Sequence, residues 1–294
     1  NTTFVAGDLM NVEALYVASK LSEHLDGAKV LGDLETRCLL NSRSLYVGNG
    51  KIEDIDNAKN ILLLGSNPRK EASVVRARIR KSWLAGTTVY RLGPEENLTY
   101  DVKELGYSFF DLQSFLNRMS AKKSFWADTI FLVGYSFLNS KSSGSALNTV
   151  RSMVEKYKSK FLVIHPNASA VGALDLGYET DSSIKRKVLS DSKTIYNLGC
   201  DTLPPNQGGF VIYQGSHGDK GASSADLILP STCYLEEDGI FVNTEGRGQY
   251  ARKAIQPPGN AKENWRILRA LSERLGFIPS YLDLNGLRSA LFKE

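Results

Sequence analysis

The sequence is poor in the residues from which disulfide frameworks and metal sites are built. Its 294 residues include three cysteines, Cys38, Cys200 and Cys233, and no C-x-x-C pair. Three widely spaced thiols argue against a disulfide framework, a structural zinc site and a self-contained iron–sulfur cluster, which uses four thiolates. Two of the three histidines, His24 and His165, also lack metal-ligand spacing. We therefore expect buried or idle thiols in a reducing compartment.

Net charge and long apolar runs are scarce as well. The formal net charge of +4 is small for this length and gives no reason to expect nucleic acid or an anionic membrane as a partner. No apolar run approaches the roughly 20 residues of a membrane-spanning helix, so any membrane association is expected to pass through a partner. The chain opens at Asn1 without an apolar signal-peptide core, and we expect that it has been processed or trimmed.

The common phosphate-binding fingerprints, G-x-G-x-x-G and G-x-x-x-x-G-K-[ST], are absent. Residues 65–69 (GSNPR) nevertheless lie where a predicted strand becomes a helix, a junction that presents unpaired N–H groups and a positive dipole end. Every α/β protein has several such turns and most are empty, so an empty turn is favoured. A nucleotide retained at 65–69 ranks last among the functional hypotheses.

Residue types of hydrolases occur without the required spacing. Residues 134–138 (GYSFL) resemble a nucleophile elbow but lack the second glycine of G-x-S-x-G. Ser216, His217 and Asp219 stand close together on one glycine loop, which does not easily place the base between the other two groups. We therefore expect no catalytic residue and no metal ligand in this chain.

Short apolar runs, each closed by glycine or a polar residue, alternate with segments of helical periodicity. Runs rich in Val, Ile and Leu without strict alternation predict strands buried on both faces of a parallel sheet. This alternation predicts a three-layer α/β fold with mostly parallel sheets and flanking helices. The predicted strands are 3–6, 61–64, 88–92, 130–133, 161–164, 195–198, 210–213 and 225–229. The predicted helices are 11–25, 71–84, 145–158 and 265–275, the last capped by Gly276.

Polar, glycine-rich and proline-rich stretches between the periodic segments predict two α/β units, 1–118 and 119–236. A C-terminal extension, 237–294, with a terminal helix is predicted to follow them. Residues 95–123 mix polar and aromatic side chains and are interpreted as the connection between the units. The three acids at 236–238, just before Gly239, are interpreted as an exposed turn.

The helix that follows residue 68 is rich in cations. Arg76 and Arg80 share a face and could clamp a pyrophosphate or an acidic partner surface. A solvated face is the first interpretation, a protein interface the second and nucleic acid the last. The cations are Arg69, Lys70, Arg76, Arg78, Arg80 and Lys81.

The region 213–249 carries the most specific pattern, because glycines at this density mark sharp turns or close approach of the backbone to another group. A glycine-rich loop precedes A-D-x-x-L-P at 225–230 and N-x-E-G-R-x-Q at 243–249. The pattern resembles the molybdopterin-oxidoreductase superfamily and, within it, the large iron–sulfur subunits of respiratory NADH:ubiquinone oxidoreductase (complex I), particularly the mitochondrial ones. Further matching segments, in the right order over nearly the whole chain, are 65–69, 77–84, 173–178, 213–219, 257–259 and 265–273.

The resemblance implies that this chain is the C-terminal, molybdopterin-oxidoreductase-like portion of such a subunit, either a separately encoded half or a fragment. It implies a non-catalytic scaffold in the peripheral arm, on the matrix side of the mitochondrial inner membrane and without direct membrane insertion. The implied partners are the N-terminal half, which carries the iron–sulfur clusters, and other peripheral-arm subunits, but not nucleic acid. The alternative is the cofactor-binding portion of an active molybdopterin-dependent oxidoreductase of the formate dehydrogenase type.

The same resemblance nominates a vestigial cofactor cradle that we expect to be empty, with no cofactor bound by this chain. Its glycines can persist because the backbone still needs their φ values when the ligand is gone. The candidates are Gly65, Ser66, Asn67, Gly215, Gly218, Asn243, Glu245, Gly246 and Arg247.

Overall fold

The computed structural model describes residues 1–204 and 208–293. Strands and helices alternate over most of this length. The strands are β1 (Thr2–Ala6), β2 (Lys29–Thr36), β3 (Asn60–Leu64), β4 (Thr88–Leu92), β5 (Lys103–Gly106), β6 (Thr129–Val133), β7 (Lys160–Val163), β8 (Glu179–Asp181), β9 (Thr194–Leu198), β10 (Phe210–Gly215), β11 (Leu227–Pro230), β12 (Gly239–Val242) and β13 (Gly248–Ala251). The helices are α1 (Val12–His24), α2 (Arg43–Tyr46), α3 (Asp54–Asn57), α4 (Pro68–Glu71), α5 (Ser73–Leu84), α6 (Phe109–Met119), α7 (Lys123–Ala127), α8 (Tyr135–Leu138), α9 (Ser143–Tyr157), α10 (Ala170–Asp175), α11 (Ser182–Asp191), α12 (Lys220–Ser223), α13 (Asn264–Arg274) and α14 (Leu284–Leu291).

All eight predicted strands are present, and the predicted α/β class with mostly parallel sheets is confirmed. β6 shows why such runs are recognisable, since all five of its residues are buried, as in a strand covered on both faces. The helix predicted at 71–84 is two helices, α4 and α5, because the backbone at Ala72 leaves the helical region with φ −154°.

The chain divides into two compact units. The first comprises the described residues of Asn1–Leu34, Asn167–Asn243 and Arg247–Glu294, and its sheet has the order β11-β10-β9-β1-β2-β8. β1 pairs in parallel with β2 and β9, and β10 pairs in parallel with β9 and β11. An antiparallel hairpin joins β12 to β13. Trp265 and Leu268 of α13 and Leu287 of α14 are buried in one apolar cluster with Leu15 and Leu21 of α1.

The second unit comprises Glu35–Pro166 and Thr244–Gly246. Its sheet has the order β5-β4-β3-β6-β7, and every pair is parallel. Its core is aromatic on one side, where Trp126 is fully buried and stacks on Phe131 with ring centroids 6.0 Å apart.

These units differ from the division placed at 118/119 and 236/237. β6 lies in the second predicted unit, yet it pairs with β3 of the first from Asn60↔Thr129 to Leu64↔Val133. The second compact unit is therefore inserted into the first along the chain.

The segment 95–123 is more than a connection. It contains the edge strand β5 and the helix α6, which begins with a capping box between Ser108 and Asp111. β5 escapes detection because its sequence, KELG, is polar and at most partly buried.

Candidate functional site

In parallel α/β sheets, ligands bind beyond the carboxyl ends of the strands at the point where the strand order reverses. In the first unit this switch point lies between β1 and β9, and in the second unit between β3 and β6. These two crevices are the candidate sites, and each is described within its own unit.

The crevice of the first unit is closed by backbone. The Gly7 N–H donates a hydrogen bond to the Leu198 carbonyl at 2.9 Å. A Cβ at Gly7 would lie 2.1 Å from the Gly199 carbonyl oxygen, and Gly199 itself has φ +66°. Both glycines therefore serve the contact between the two strand ends and leave no gap between them for a ligand group.

Four carboxylates surround this closed crevice: Asp8, Asp33, Asp201 and Asp219. Burial, followed by the nearby charge of Asp33, raises the pKa of Asp8 above its ordinary value. Burial likewise raises the pKa of Asp201, with further contributions from Asp219 and Asp8. Although burial opposes it, hydrogen bonds with Asp201 and with the Tyr213 hydroxyl lower the pKa of Asp219. Asp8 thus lies near Asp33, and Asp201 lies near Asp8 and shares a hydrogen bond with Asp219, so this edge of the sheet is acidic.

The thiol of Cys200 lies in the same cluster and is unsuited to metal binding or nucleophilic attack. Its Sγ lies 3.2 Å from Asp33 Oδ1, and the Asp33 carboxylate also accepts hydrogen bonds from Thr202 Oγ1 and from Asn167 Nδ2. Burial, followed by the charge of Asp33, raises the pKa of Cys200 to about 12. The thiol is consequently protonated at neutral pH, whereas a nucleophile or metal ligand is a thiolate.

One cation lies at the edge of the cluster. The ammonium of Lys185, on α11, donates to the backbone carbonyls of Asp33 at 2.9 Å and Leu34 at 3.1 Å. It holds the end of β2, and it is only 5% exposed.

Gly215, a cradle candidate, is the last residue of β10, and the neighbouring Tyr213 side chain leaves no room for a Cβ there. A Cβ there would lie 2.3 Å from the Tyr213 ring, and its carbonyl accepts from the Ser231 N–H at 3.0 Å. Gly218 is exposed, and no atom lies within 4 Å of the position of its Cβ. Gly218 therefore has no packing role of this kind.

The loop after Gly215 does not arrange a hydrolase triad. Ser216 Oγ and His217 Nδ1 are 2.9 Å apart on the surface. Asp219 instead accepts from the Tyr213 hydroxyl at 3.0 Å and caps α12. The carboxylate is thus engaged away from the imidazole.

Asn243 and Arg247 form the base of the loop between β12 and β13. The Asn243 N–H donates to the Arg247 carbonyl at 3.0 Å, and Asn243 Oδ1 accepts from the Arg247 N–H at 2.9 Å. The N-x-E-G-R tract is thus the tip of a β-hairpin whose polar groups shape the turn.

Glu245 and Gly246, at this tip, make their contacts within the second unit. Glu245 Oε1 accepts from the Ile52 N–H at 2.6 Å. Gly246 has φ +76°, and its carbonyl accepts from Arg43 Nη2 at 2.8 Å. The positive φ favours glycine at this position, and a Cβ would lie 2.7 Å from the Arg43 guanidinium.

The crevice of the second unit is narrowed by close contacts of the chain with itself. Gly65 has φ +56°, and a Cβ there would lie 2.4 Å from the Phe137 nitrogen. A Cβ at Gly134 would lie 2.5 Å from the Gly65 carbonyl oxygen. The cavity beside them measures about 250 Å³, below the range of about 300–1,000 Å³ typical of ligand pockets, and is lined in part by Tyr107 and Lys141.

Ser66 and Asn67 complete the strand-to-helix turn. Ser66 Oγ donates to Glu71 Oε2 at 2.7 Å, and Asn67 Oδ1 accepts from the Arg69 N–H at 3.1 Å. Asn67 Nδ2 has no hydrogen-bond partner among the described residues. The helix that begins here, α4, has four residues and starts with Pro68, which has no N–H to offer a phosphate.

The most perturbed carboxyl group is one that the sequence did not reveal. Glu237 is 4% exposed, so the interpretation of 236–238 as an exposed turn is wrong for this residue. Its carboxylate accepts from Asn11 Nδ2 at 2.9 Å, from the Asn264 N–H at 2.8 Å and from Asn264 Nδ2 at 2.7 Å. Burial raises the pKa of Glu237 to about 7. These bonds tie the start of β12 to the first turns of α1 and α13.

Neither crevice fits a pterin dinucleotide, the cofactor that a molybdopterin-type fold implies. Phosphate groups need N–H donors or cations, whereas the first crevice presents four carboxylates. The second crevice holds a cavity of only about 250 Å³, which is small for a dinucleotide. Among residues 1–204 and 208–293, no three His, Cys, Asp or Glu side chains are grouped so that they could hold a metal ion. Within the same residues, no helix is long and apolar enough to cross a membrane.

Two solved structures share this fold. A formyltransferase/hydrolase complex from Methylorubrum extorquens, determined with methylofuran, matches with a TM-score of 0.65 and 15% identity over 94% of this chain and 91% of that chain. Acetylene hydratase from Pelobacter acetylenicus matches with a TM-score of 0.55 and 11% identity over 94% of this chain and 55% of that chain. At such low identity these matches concern the fold alone.

Sequence relatives are much closer. The chain is 37% identical over 98% of its length to the mitochondrial NADH-ubiquinone oxidoreductase 78 kDa subunit of Candida albicans, and 34% identical over 92% to the 75 kDa subunit of Reclinomonas americana. It is 33% identical over 99% of its length to an NADH-quinone oxidoreductase subunit of Rickettsia bellii. The chain spans less than half of each relative, 41%, 43% and 44% of their lengths.

The model of the molybdopterin oxidoreductase family matches residues 1–274. This match covers the whole second unit and the first unit as far as the end of α13. The chain belongs to the molybdopterin oxidoreductase family.

Proposed function

We propose that this chain is a non-catalytic structural part of the peripheral arm of a respiratory NADH dehydrogenase (complex I). In this role it supports a cluster-bearing portion through which electrons pass from NADH towards ubiquinone. The observation that carries the proposal is the 33–37% identity to subunits of NADH-ubiquinone and NADH-quinone oxidoreductases, which extends over 92–99% of the chain.

The non-catalytic role is supported by the two crevices. In each unit the glycines at the strand ends let the backbone pack on itself. The acidic rim of Asp8, Asp33, Asp201 and Asp219 repels the phosphates of a dinucleotide. Each unit retains a mostly parallel sheet with its own packed apolar core, which suits a scaffold.

The proposed partners follow from the relatives' lengths. More than half of each relative lies outside the similarity to this chain, and we assign the iron–sulfur clusters to a portion of that kind, either joined to this chain or encoded separately. Other peripheral-arm subunits are the remaining partners. The relative from Candida albicans carries a mitochondrial designation, and the proposed location is the matrix side of the inner membrane.

The alternative is a cofactor-binding portion of an active molybdopterin-dependent oxidoreductase. It is disfavoured because it requires a crevice that binds phosphate groups. The carboxylates at the first switch point are anionic and repel phosphates. It also requires a metal ligand, and the buried Cys200 thiol is held protonated.

Native electrophoresis of detergent-solubilised membranes from the source organism, followed by mass spectrometry of the gel slices, tests the proposal. We expect peptides of this chain to peak in the NADH-oxidising band, together with the cluster-bearing portion. Migration of the chain apart from that band would overturn the proposal.

A further inference from the structure

Helix α5 has a charge pattern that its own unit leaves unbalanced. Its sequence, SVVRARIRKSWL, contains Arg76, Arg78, Arg80 and Lys81 and no acidic residue. Arg76 and Arg80 lie one turn apart, and like charges at this spacing repel and weaken a helix. A helix face that only meets solvent usually mixes both signs of charge, and this one does not.

The helix buries one side against its sheet. Val75, Ile79 and Ser82 are buried, the first two in the apolar cluster of β3, β4 and β6. The opposite side carries two large apolar side chains, Val74 at 71% and Leu84 at 63% exposure. These two side chains lie about 15 Å apart along the helix axis, since a residue rises about 1.5 Å.

We define the outer face of α5 as Val74, Ala77, Arg80, Lys81 and Leu84, all of which are exposed. They recur every three or four residues and so share one side of the helix. Aliphatic side chains at both ends with cations between them form a pattern typical of a protein interface, in which arginine is enriched.

Acidic side chains of the same unit form ion pairs with the neighbouring cations but not with the cations of the outer face. Arg78 pairs with Asp56, and Lys70 Nζ lies 3.6 Å from Glu96 Oε2. In the part of the chain that the structure describes, the side chains of Arg80 and Lys81 make no hydrogen bond or ion pair. Their charges are therefore available to carboxylates from outside the chain.

We propose that the outer face of α5 docks on a neighbouring protein whose surface carries carboxylates around an aliphatic patch. The contact would place the apolar ends, Val74 and Leu84, on the patch, while Arg80 and Lys81 meet the acids. This inference rests on the proposed function, because it names the surface by which the chain joins its assembly. A protein partner is favoured over nucleic acid or anionic lipid because the chain as a whole is nearly neutral and the face is partly aliphatic.

Zero-length carbodiimide coupling on the native assembly gives the first readout. This reagent joins an amine to a carboxylate that already touches it, so Lys81 Nζ should couple to an Asp or Glu of another subunit. In parallel, acetylation of Lys81 should be slower in the assembly than in the isolated chain, while acetylation of Lys187 on α11 serves as the exposed reference. The absence of any coupling from Lys81, with unchanged acetylation, would overturn the inference.

Charge reversal gives the second readout. The variant Arg80→Glu/Lys81→Glu should lower incorporation into the assembly roughly tenfold, because like charges would then face each other across the interface. The matched control is Lys122→Glu/Lys123→Glu, an adjacent exposed pair at the start of another helix, α7, and it should assemble as the wild type does. Thermal unfolding followed by circular dichroism should be the same for both variants, because both pairs are exposed. Equal incorporation of the two variants would overturn the inference.

The outcomes separate the two proposals. If the wild-type chain migrates in an assembly that does not oxidise NADH, the proposed function fails, and coupling from Lys81 still identifies the docking partner. If the wild-type chain migrates alone, both fail. A third measurement is binding of the isolated chain to phosphatidylserine vesicles. If the wild-type chain binds them and the Arg80→Glu/Lys81→Glu variant does not, the face is a membrane-binding surface, and the inference is overturned.

Discussion

The buried carboxyl group of Glu237 makes the stability of the first unit depend on pH in an unusual direction. Most carboxylates favour the folded state when ionised, because salt bridges lower their pKa. Burial instead raises the pKa of Glu237 from an ordinary value of 4.5 to about 7. Between these two values the folded state binds the proton and the unfolded state does not. This contribution to stability is therefore fully present below pH 4.5 and is lost as the pH rises through 7.

The size of the effect follows from the shift. Each pKa unit corresponds to about 1.4 kcal/mol, so the contribution of Glu237 falls by about 3 kcal/mol between pH 4.5 and pH 8. In Glu237→Gln the side chain does not titrate, and the loss of one hydrogen-bond acceptor adds only an offset that is independent of pH. The unfolding free energy of the variant relative to the wild type should thus rise by about 3 kcal/mol across this range.

Urea unfolding at half-unit pH steps, followed by tryptophan fluorescence, measures this difference. Glu236→Gln is the matched control, since it removes the adjacent carboxylate, which is only partly buried and accepts from the Cys233 N–H. Its difference from the wild type should stay within about 0.5 kcal/mol at every pH. Parallel curves for wild type and Glu237→Gln from pH 4.5 to 8 would refute the reasoning.

Two further predictions, each with its control substitution, test the packing inside each unit. Gly7→Ala should lower the unfolding free energy by about 3 kcal/mol, because its Cβ would lie 2.1 Å from the Gly199 carbonyl oxygen. Gly218→Ala, the control, should change it by less than about 0.5 kcal/mol. Equal urea midpoints for the two variants would contradict the close contact between the strand ends at Gly7 and Gly199. Arg91→Ala should cost about 2 kcal/mol, since Arg91 is 3% exposed and pairs with Glu104 through Nε and Nη2. Arg91→Lys should recover part of that loss in the same urea assay, and an unchanged midpoint for Arg91→Ala would show that the pair contributes nothing.

Features that are local in sequence could be predicted from the residues. The apolar runs of β3 and β6 predict strands buried on both faces, and the glycines that follow them, Gly65 and Gly134, indicate the turns. β5 could not be found in this way, because an edge strand with a Lys-Glu sequence has neither an apolar run nor alternation.

The chemistry of the crevices depends on residues that are distant in sequence. Asp8, Asp33 and Asp201 each look like an ordinary surface acid, and their mutual repulsion arises only when β1, β2 and β9 bring their ends together. Glu237 is hidden for the same reason, since it is buried by partners on two helices, at Asn11 and Asn264, more than 200 residues apart along the chain. Sequence reasoning nominated Gly65 in the second crevice, but neither Gly7 and Gly199 in the first crevice nor the carboxylates around them.

The central claim is that this molybdopterin-type fold works as a scaffold without its cofactor. Iodine oxidation of the chain, purified within its native assembly, converts any bound pterin into a fluorescent product that can be quantified per chain, alongside elemental analysis for molybdenum and tungsten. The account predicts far less than one equivalent of pterin and of either metal. One pterin per chain would contradict it.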